Sequence, residues 1–307
     1  MKPLVVVNPQ SGGGRTGRGW PRTAALLRRA GLDFDYALTE RPAQAKELAA
    51  EAERAGCPLV VAAGGDGTIH EVANGLLERR DGGPPTCRFG LLPLGTGGDF
   101  RRTFQIPRDL TEAAHVLVAG RTRRVDAGRV SFTGHSGAAE KCHFVNIADA
   151  GIGGDVVTRV NRGLRLPSGE LTFAFATAVS LLSWRNQPMR VVIDGAEHQL
   201  TAQQVVVANC RYYGGGMCIA PRAMPDDGLL DVVVAGDLGL LENVRLLRPL
   251  RRGTHLDGGH PKLLHRTARR VEVEAPRRVR LDVDGEQPGT PPAVFEIVPG
   301  ALDLIVP

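Results

Sequence analysis

A carboxylate set among glycines is the part of this chain from which chemistry can first be read. Gly64-Gly65-Asp66-Gly67-Thr68 follows Leu59-Val60-Val61-Ala62-Ala63, an apolar run of strand length. It precedes Ile69 to Leu77, whose apolar spacing is helical. Glycines let a backbone approach an anion closely, and Thr68 is expected to cap the helix behind it. The open N–H groups and the dipole of a helix start suit a phosphate. Asp66 would repel that phosphate unless a divalent cation stands between them, and hard oxygen ligands select Mg²⁺. A plain strand-to-helix turn would need neither so many glycines nor an acid.

Two further loops share this chemistry. Asn8-Pro9-Gln10-Ser11-Gly12-Gly13-Gly14 offers Ser11 and glycine N–H groups as phosphate donors. Gly12, Gly14 and Gly17 match G-x-G-x-x-G, a weak signal that leaves a dinucleotide fold possible but unattractive. A P-loop is excluded, because Arg18 and Gly19 stand where Lys and Ser/Thr are required. Leu94-Gly95-Thr96-Gly97-Gly98-Asp99 again combines small residues, a hydroxyl and a carboxylate. Asp66, Asp99 and Asp126 are each expected to close a strand of one sheet. Three acids along one edge call for a cation or water network, unless each has a separate capping or turn role.

The elements that must position these loops alternate. Strands are expected at Leu4–Val7, Phe34–Leu38, Leu59–Ala63 and Phe89–Pro93, with a further one starting at Thr122–Asp126. Helices are expected at Trp20–Ala30, Ala43–Ala55, Ile69–Glu78 and Leu110–Ala119. This alternation implies an α/β domain, a parallel sheet with helices on both faces, whose ligands sit beyond the carboxyl ends of the strands. After residue 126 closely spaced strand-like runs and Gly/Pro turns imply a mainly antiparallel β-sandwich. Those runs are Arg190–Ile193, Gln204–Ala208, Leu229–Ala235, Arg270–Glu274, Val279–Val283 and Val294–Val298. Helical signal there is confined mostly to Leu171–Trp184 and Leu240–Arg248. Ser131–Lys141 and Gly253–Pro261 read as exposed loops. The domains are thus expected at 1–126 and 127–298, with 299–307 returning to the first as a strand.

Composition narrows the function classes. The chain has 307 residues, 42% of them hydrophobic, enough for a substantial core. Its five cysteines are odd in number and show no C-x-x-C, which disfavours disulfide frameworks and zinc sites and fits a reducing cytosol. The start of the chain enters a strand at once, without a signal-peptide pattern. The net charge is +5 and Arg-rich, which suits nucleotide or anionic lipid as well as high genomic Arg usage. No aromatic residues interleave with the arginines, so nucleic acid is not expected as a partner. His143, His255, His260 and His265 lack metal-ligand spacing.

Asn8-Pro9-x-Ser11-Gly12, Gly64-Gly65-Asp66-Gly67-Thr68-x-x-Glu71-Val72-x-Asn74-Gly75 and Pro93-x-Gly95-Thr96-x-x-Asp99-Phe100 resemble the successive motifs of the diacylglycerol kinase catalytic-domain family. That family includes soluble bacterial lipid kinases and the sphingosine and ceramide kinases. Gly214-Gly215-Gly216-x-x-Ile219-Ala220-Pro221 through Asp227-Gly228-Leu229-Leu230-Asp231 resembles its glycine-rich signature, and Asp282-Val283-Asp284-Gly285-Glu286 its late Asp-Gly-Glu turn. The likeness runs in order along essentially the whole chain. Gly98 departs from it, since the family usually has Asn there.

The resemblance implies an N-terminal domain like that of NAD kinases, with ATP and Mg²⁺ as cofactors. ATP would be bound by Asn8, Pro9, Gln10, Ser11, Gly12, Thr39, Gly65, Asp66, Gly67, Thr68, Ile69, His70, Glu71 and Thr96. Asp66 would hold the catalytic Mg²⁺ through water, supported by Asp99 and Asp126. Asp284 and Glu286 would be catalytic from the second domain, Glu286 as general base. Met224, Asp227 and Leu229 would hold a structural Mg²⁺, or Asp226-Asp227-Gly228 is a solvated turn. The implied reaction moves the γ-phosphate of ATP to a lipid hydroxyl, with diacylglycerol giving phosphatidic acid as the default. Transient contact with the inner face of the membrane by a cytoplasmic enzyme follows from that, with a homodimer left open. Leu171–Trp184 is apolar almost all round and reads first as a buried core helix, and second as the lining of an acyl pocket. No strong amphipathic anchor helix is expected. The rivals are a kinase for a soluble acceptor such as NAD and a nucleotide sensor without catalysis.

Overall fold

Val5, Val6 and Val7 are all wholly buried, which adjacent strand residues achieve only when both faces of their sheet are covered. They belong to β1 (Leu4–Val7). In chain order there follow α1 (Arg15–Arg29), β2 (Asp35–Leu38), α2 (Gln44–Arg54), β3 (Leu59–Gly64), α3 (Asp66–Leu77), β4 (Arg88–Pro93), α4 (Asp99–Thr103) and α5 (Leu110–Ala119). The strands pair in parallel in the order β2-β1-β3-β4. Trp20 and Leu27 of α1, with Ala114 and Leu117 of α5, share a core with Val5, Val7 and Val61. Val6 faces the other way, where α2 and α3 pack together against the sheet.

A computed structural model describes residues 1–78, 85–161 and 169–307, with the chain in two units. Met1–Asp126 and Gly300–Pro307 form the first, Ala127–Pro299 the second. The chain leaves the first unit within β5 (Thr122–Gly134). The second unit then contains β6 (Ala139–Phe144), β7 (Ile147–Gly151), α6 (Ile152–Asn161), α7 (Gly169–Ser183), β8 (Gln187–Ile193), β9 (Ala196–Ala202), β10 (Gln204–Ala208), β11 (Tyr212–Tyr213), β12 (Met217–Cys218), β13 (Leu230–Ala235), α8 (Leu240–Arg252), β14 (Leu263–Ala268), β15 (Arg270–Glu274) and β16 (Arg280–Val283). β17 (Gly289–Ile305) begins there and ends in the first unit, where Leu304 pairs in parallel with Phe89 of β4.

One antiparallel sheet of the second unit runs β14-β13-β10-β7-β16, and a second contains β15 between β17 and β8, with β9 outside β8. Their inner faces meet in a core that includes Phe144, Val191, Val207, Val232, Leu281 and Phe295. This is the two-layer antiparallel sandwich that the spacing of strand-like runs predicts.

Several local expectations need correction. α1 begins at Arg15, not Trp20, so Gly17 lies inside it. A Cβ on Gly17 would come within 2.9 Å of the Pro9 side chain, so the missing side chain lets the helix pass the loop. α3 is capped by Gly65, and Thr68 lies in its first turn rather than at its cap. Asp126 does not close a strand; it sits inside β5. Ser131–Lys141 is no loop but mostly the β5–β6 hairpin, carried through by the buried Val130, Phe132 and Phe144.

The apolar helix α7 is not a core helix. Thr172, Ala176 and Ser180 form its buried stripe, while Leu171, Phe175 and Leu182 are exposed; the side chain of Phe173 lies outside the described residues. Mean apolarity cannot tell a buried helix from one that turns apolar residues outward. α8 takes up the helical signal expected at Leu240–Arg248 and lies at the surface. None of its residues is buried, and Leu240, Leu241, Val244 and Leu247 stand exposed beside Arg245, Arg248, Arg251 and Arg252. Among the described residues no helix is long and apolar enough to cross a membrane.

Candidate functional site

In the first unit three strand-to-helix loops close on one another. Asn8 Nδ2 donates to Thr68 Oγ1 at 3.2 Å, tying the β1–α1 loop to α3. Gln10 N–H donates to Asn8 Oδ1 at 3.0 Å and shapes the turn before Ser11. Gly65 and Gly95 approach so closely that a Cβ on Gly95 would fall 2.3 Å from the Gly65 Cα, so this crossing excludes any side chain at 95. The β4–α4 loop is held by Asp66, whose Oδ2 accepts the Gly98 N–H at 2.8 Å. Gly98, where the family usually has Asn, adopts φ 81° and serves this bond through its backbone.

The other oxygen, Asp66 Oδ1, is buried and accepts no hydrogen bond among the described residues. A buried carboxylate oxygen without a donor is costly unless a cation or its water completes it. The glycine caps of α1 and α3 make no side-chain hydrogen bond. In the first turn of α1 the Thr16 and Gly17 N–H groups donate to the Ser11 and Pro9 carbonyls, so of these two helix starts it is that of α3 that suits an anion.

Other sequence-derived candidates have different surroundings. Glu71 accepts the N–H groups of Ala43 and Ala45 at 3.1 and 3.2 Å, so its carboxylate caps α2. Ile69 is buried in the α3 core-facing side, and Asn74 Nδ2 donates to the His70 carbonyl at 3.0 Å. Thr39 is held at the end of β2 by its N–H to the Val7 carbonyl, at 2.8 Å. The Thr96 carbonyl accepts from Arg108 at 3.1 Å. Asp126 Oδ1 accepts the Gly300 N–H at 2.7 Å, which ties β5 to the returning end of β17. Asp99 opens α4 and lies 3.7 Å from Arg102. Among the described residues no three His, Cys, Asp or Glu side chains gather closely enough to hold a metal directly. Asp66, Asp99 and Asp126 therefore do not form a three-carboxylate cage.

Arg101 is a site feature that no motif singles out. Burial, then the charges of Arg102 and Arg108, lower its pKa, while Asp66 and Asp99 oppose that shift. Three guanidinium groups thus crowd beside the glycine loops, a field that favours an anion. The sequence signal was Arg101-Arg102, which follow Asp99-Phe100.

In the second unit, Asp284 and Gly285 both have positive φ and form the tight turn that leaves β16. Val283 and Glu286 exchange both backbone hydrogen bonds across it. The Asp284 carboxylate accepts N–H groups from Val145, Asn146 and Ile147 at 2.9 to 3.0 Å. It is a clamp that fixes the turn to the start of β7, and Glu286 stands exposed at the turn's end. At the other proposed cation position, Asp227 N–H donates to the Met224 carbonyl and Asp227 Oδ1 accepts the Leu229 N–H. These bonds close a turn on itself.

Two concavities also belong to this unit. An apolar cavity lies between the β13-β10-β7-β16 sheet and the helices, with Val156, Leu181, Leu246 and Leu250 in its walls. A separate open pocket gathers Arg159, Arg185, Arg277, Arg278 and Arg280 around Trp184.

The Diacylglycerol kinase catalytic domain model matches residues 2–130, and the YegS C-terminal NAD kinase beta sandwich-like domain model matches residues 146–306. The chain is 28% identical over 304 residues to the probable lipid kinase YegS of Salmonella heidelberg, covering 99% of this chain and 95% of that protein. The corresponding protein of Salmonella gallinarum is 29% identical over 306 residues, with the same coverage. Among solved structures, a putative diacylglycerol kinase from Bacillus anthracis superposes with a TM-score of 0.78 at 23% identity, over 100% of this chain and 97% of that one. Yeast NADH kinase, solved with NADH, gives 0.52 at 12% identity over 99% and 82%. The chain belongs to the diacylglycerol kinase catalytic-domain family and carries the YegS type of C-terminal β-sandwich.

Proposed function

We propose that this chain is a lipid kinase that transfers the γ-phosphate of ATP to a lipid hydroxyl, with diacylglycerol as the acceptor to try first. The observation that carries the reading is Asp66 at the start of α3: one oxygen organises the β4–α4 loop, and the other is buried and accepts no hydrogen bond among the described residues. That donor set fits a nucleotide phosphate with Mg²⁺, whose charge would neutralise the transferred group's oxygens. Asn8 and Ser11, with the amides of Gly65 to Thr68, would orient the phosphates. Arg101 adds positive potential on the same side.

The second unit would supply the acceptor's chemistry. A lipid hydroxyl is a poor nucleophile until a carboxylate takes its proton, and Glu286 is the exposed acid at the fixed turn. Asp284, with its carboxylate given to three amides, would position that turn rather than react. α8 turns leucines and arginines outward, which suits brief, salt-sensitive contact with an anionic cytoplasmic leaflet. The arginine pocket around Trp184 adds to the same attraction.

The test is direct. The purified protein is incubated with labelled ATP, Mg²⁺ and mixed lipid vesicles, and products are identified by mass. A phosphorylated lipid supports the reading. Label appearing on NAD, without need of vesicles, would replace it with the soluble-acceptor reading. Nucleotide binding with no phosphorylated product would leave a sensor.

A further inference from the structure

Gly98 and Arg101 act as a pair at the entry to α4. Gly98 takes φ 81° and gives its N–H to Asp66 Oδ2 at 2.8 Å. The Arg101 side chain folds back over it. A Cβ built on Gly98 would stand 2.9 Å from Arg101 Nε, 3.3 Å from its Cδ and 3.4 Å from its Cγ. Packed side chains do not approach so closely, so any residue other than glycine at 98 would push the arginine from its place. The Asn that the family usually has there would do so with little backbone strain, because Asn tolerates positive φ. Glycine at 98 is thus the condition for an arginine beside Asp66.

The guanidinium is held there without a counter-ion in contact. Its Nη1 donates to the Ile106 carbonyl at 3.1 Å, which anchors one edge. Among the described residues Arg101 makes no ion pair, and the carboxylate of Asp99 lies 3.7 Å from Arg102 instead. Burial and the charges of Arg102 and Arg108 work against the Arg101 cation, and Asp66 and Asp99 do not fully offset them. Arginine stays charged even so. A neutral donor could serve the Ile106 carbonyl equally well. A partly buried cation kept among like charges therefore lacks its anion.

We propose that Arg101 is a direct ligand of the nucleotide's phosphate chain, and that Gly98 makes this possible by leaving the arginine the space a side chain would fill. The assignment rests on the ATP-dependent reading above and deepens it, from a positive field near the loops to one named contact. A guanidinium fork held at one edge keeps its other N–H groups for phosphate oxygens, and charge-assisted bonds of that kind are the strong ones.

The full-length protein is titrated by calorimetry with ATP and Mg²⁺, with no lipid present. Arg101→Ala is expected to weaken ATP about tenfold, with unchanged circular dichroism and cooperative melting. Arg101→Gln keeps an N–H for the Ile106 carbonyl but no charge, and should lose as much. Gly98→Asn should weaken ATP about tenfold in the parent chain, by displacing Arg101. In the Arg101→Ala background it should cost less than about twofold, because nothing is left to displace. A disturbed loop would instead cost the same in both backgrounds, and a diffuse field would leave Gly98→Asn nearly silent in the parent. The proposal is overturned by either of those patterns. Parent-like ATP affinity in folded Arg101→Ala or Arg101→Gln overturns it too. In all these cases the parent still binds ATP, so the kinase reading stands; a parent chain that binds no ATP removes both.

Discussion

The two units build their polar sites in opposite ways. In the first, the groups belong to glycine-rich strand-to-helix loops and to the start of α3. α5 carries an ordinary cap, Asp109 accepting from Thr111 and Glu112, whereas α3 begins at a glycine that offers its amides no side-chain acceptor. In the second unit the groups are side chains on strand interiors. Asp149 and Gln204 are sunk in an apolar wall with buried atoms that no neighbour satisfies. Open amides cost little when empty, because water solvates them. Buried acids cost free energy all the time. A site for a charged, hydrophilic ligand can thus be left open cheaply, whereas a buried acid on a strand interior is costly whether or not anything is bound.

If the units divide labour in this way, substitutions should separate nucleotide binding from transfer. The largest effect is expected from Glu286→Gln, which keeps shape and removes the proton acceptor. Lipid phosphorylation should fall about 10²–10⁴-fold, with nucleotide affinity unchanged. Near-normal turnover of a folded variant would remove Glu286 from its role. Gly95→Ala should do the reverse. Its Cβ would meet Gly65 at 2.3 Å, so the loops must part, costing about 1–3 kcal/mol of stability. Nucleotide affinity should fall about tenfold or more with it, by titration of the folded variant. Unaltered affinity would mean that the crossing does not shape the nucleotide site.

The first unit was the more legible because its site is written in residue types that have few other uses. Glycines, a hydroxyl and an acid at three strand ends announce close backbone approach, and period-based reading finds the elements on either side. What it missed there is geometric. Helix starts moved upstream into the glycine loops at Arg15 and Asp66, since glycine in a first turn hides a helix from propensity. Glu71 and Asp126 are acids whose partners, α2 amides and Gly300, lie far off in sequence. The second unit was legible in its sandwich and in its Asp-Gly turn. Its buried acids were not, because Asp149 in a short apolar run carries no local sign that Asp282 stands opposite. Register between β7 and β16 is a tertiary fact. Nor can composition show which side of an apolar helix meets solvent, which is why the expected burial of α7 failed.

The outward face of α8 offers a weaker but cleaner cut. Leu241 is 72% exposed, so Leu241→Glu should change stability by no more than about 0.5 kcal/mol. Removing one inserted leucine and adding a negative charge should still lower partitioning onto anionic vesicles about tenfold, by cosedimentation. Nucleotide affinity and turnover of dispersed short-chain lipid should be unaffected. Equal partitioning of both proteins would assign membrane contact to another surface, the arginine pocket around Trp184 being the next to alter.

The smallest effect tests the comparison at its root, through stability. With its carboxyl pushed above the ordinary range, Asp149 holds its proton in the native chain to a higher pH than it does in the unfolded chain. Native protein then binds more protons than unfolded, so this residue subtracts stability as pH rises from the ordinary carboxylate range through the raised native value. Asparagine does not titrate. Asp149→Asn should therefore match the parent in acid and become the more stable protein with rising pH, by about 1–3 kcal/mol at neutral pH in urea unfolding. Gain of stability is what a buried acid that costs the fold requires. If the variant is instead the less stable at every pH, Asp149 holds the sandwich together, and the contrast between an inexpensive open site and a costly dry one fails at its second half.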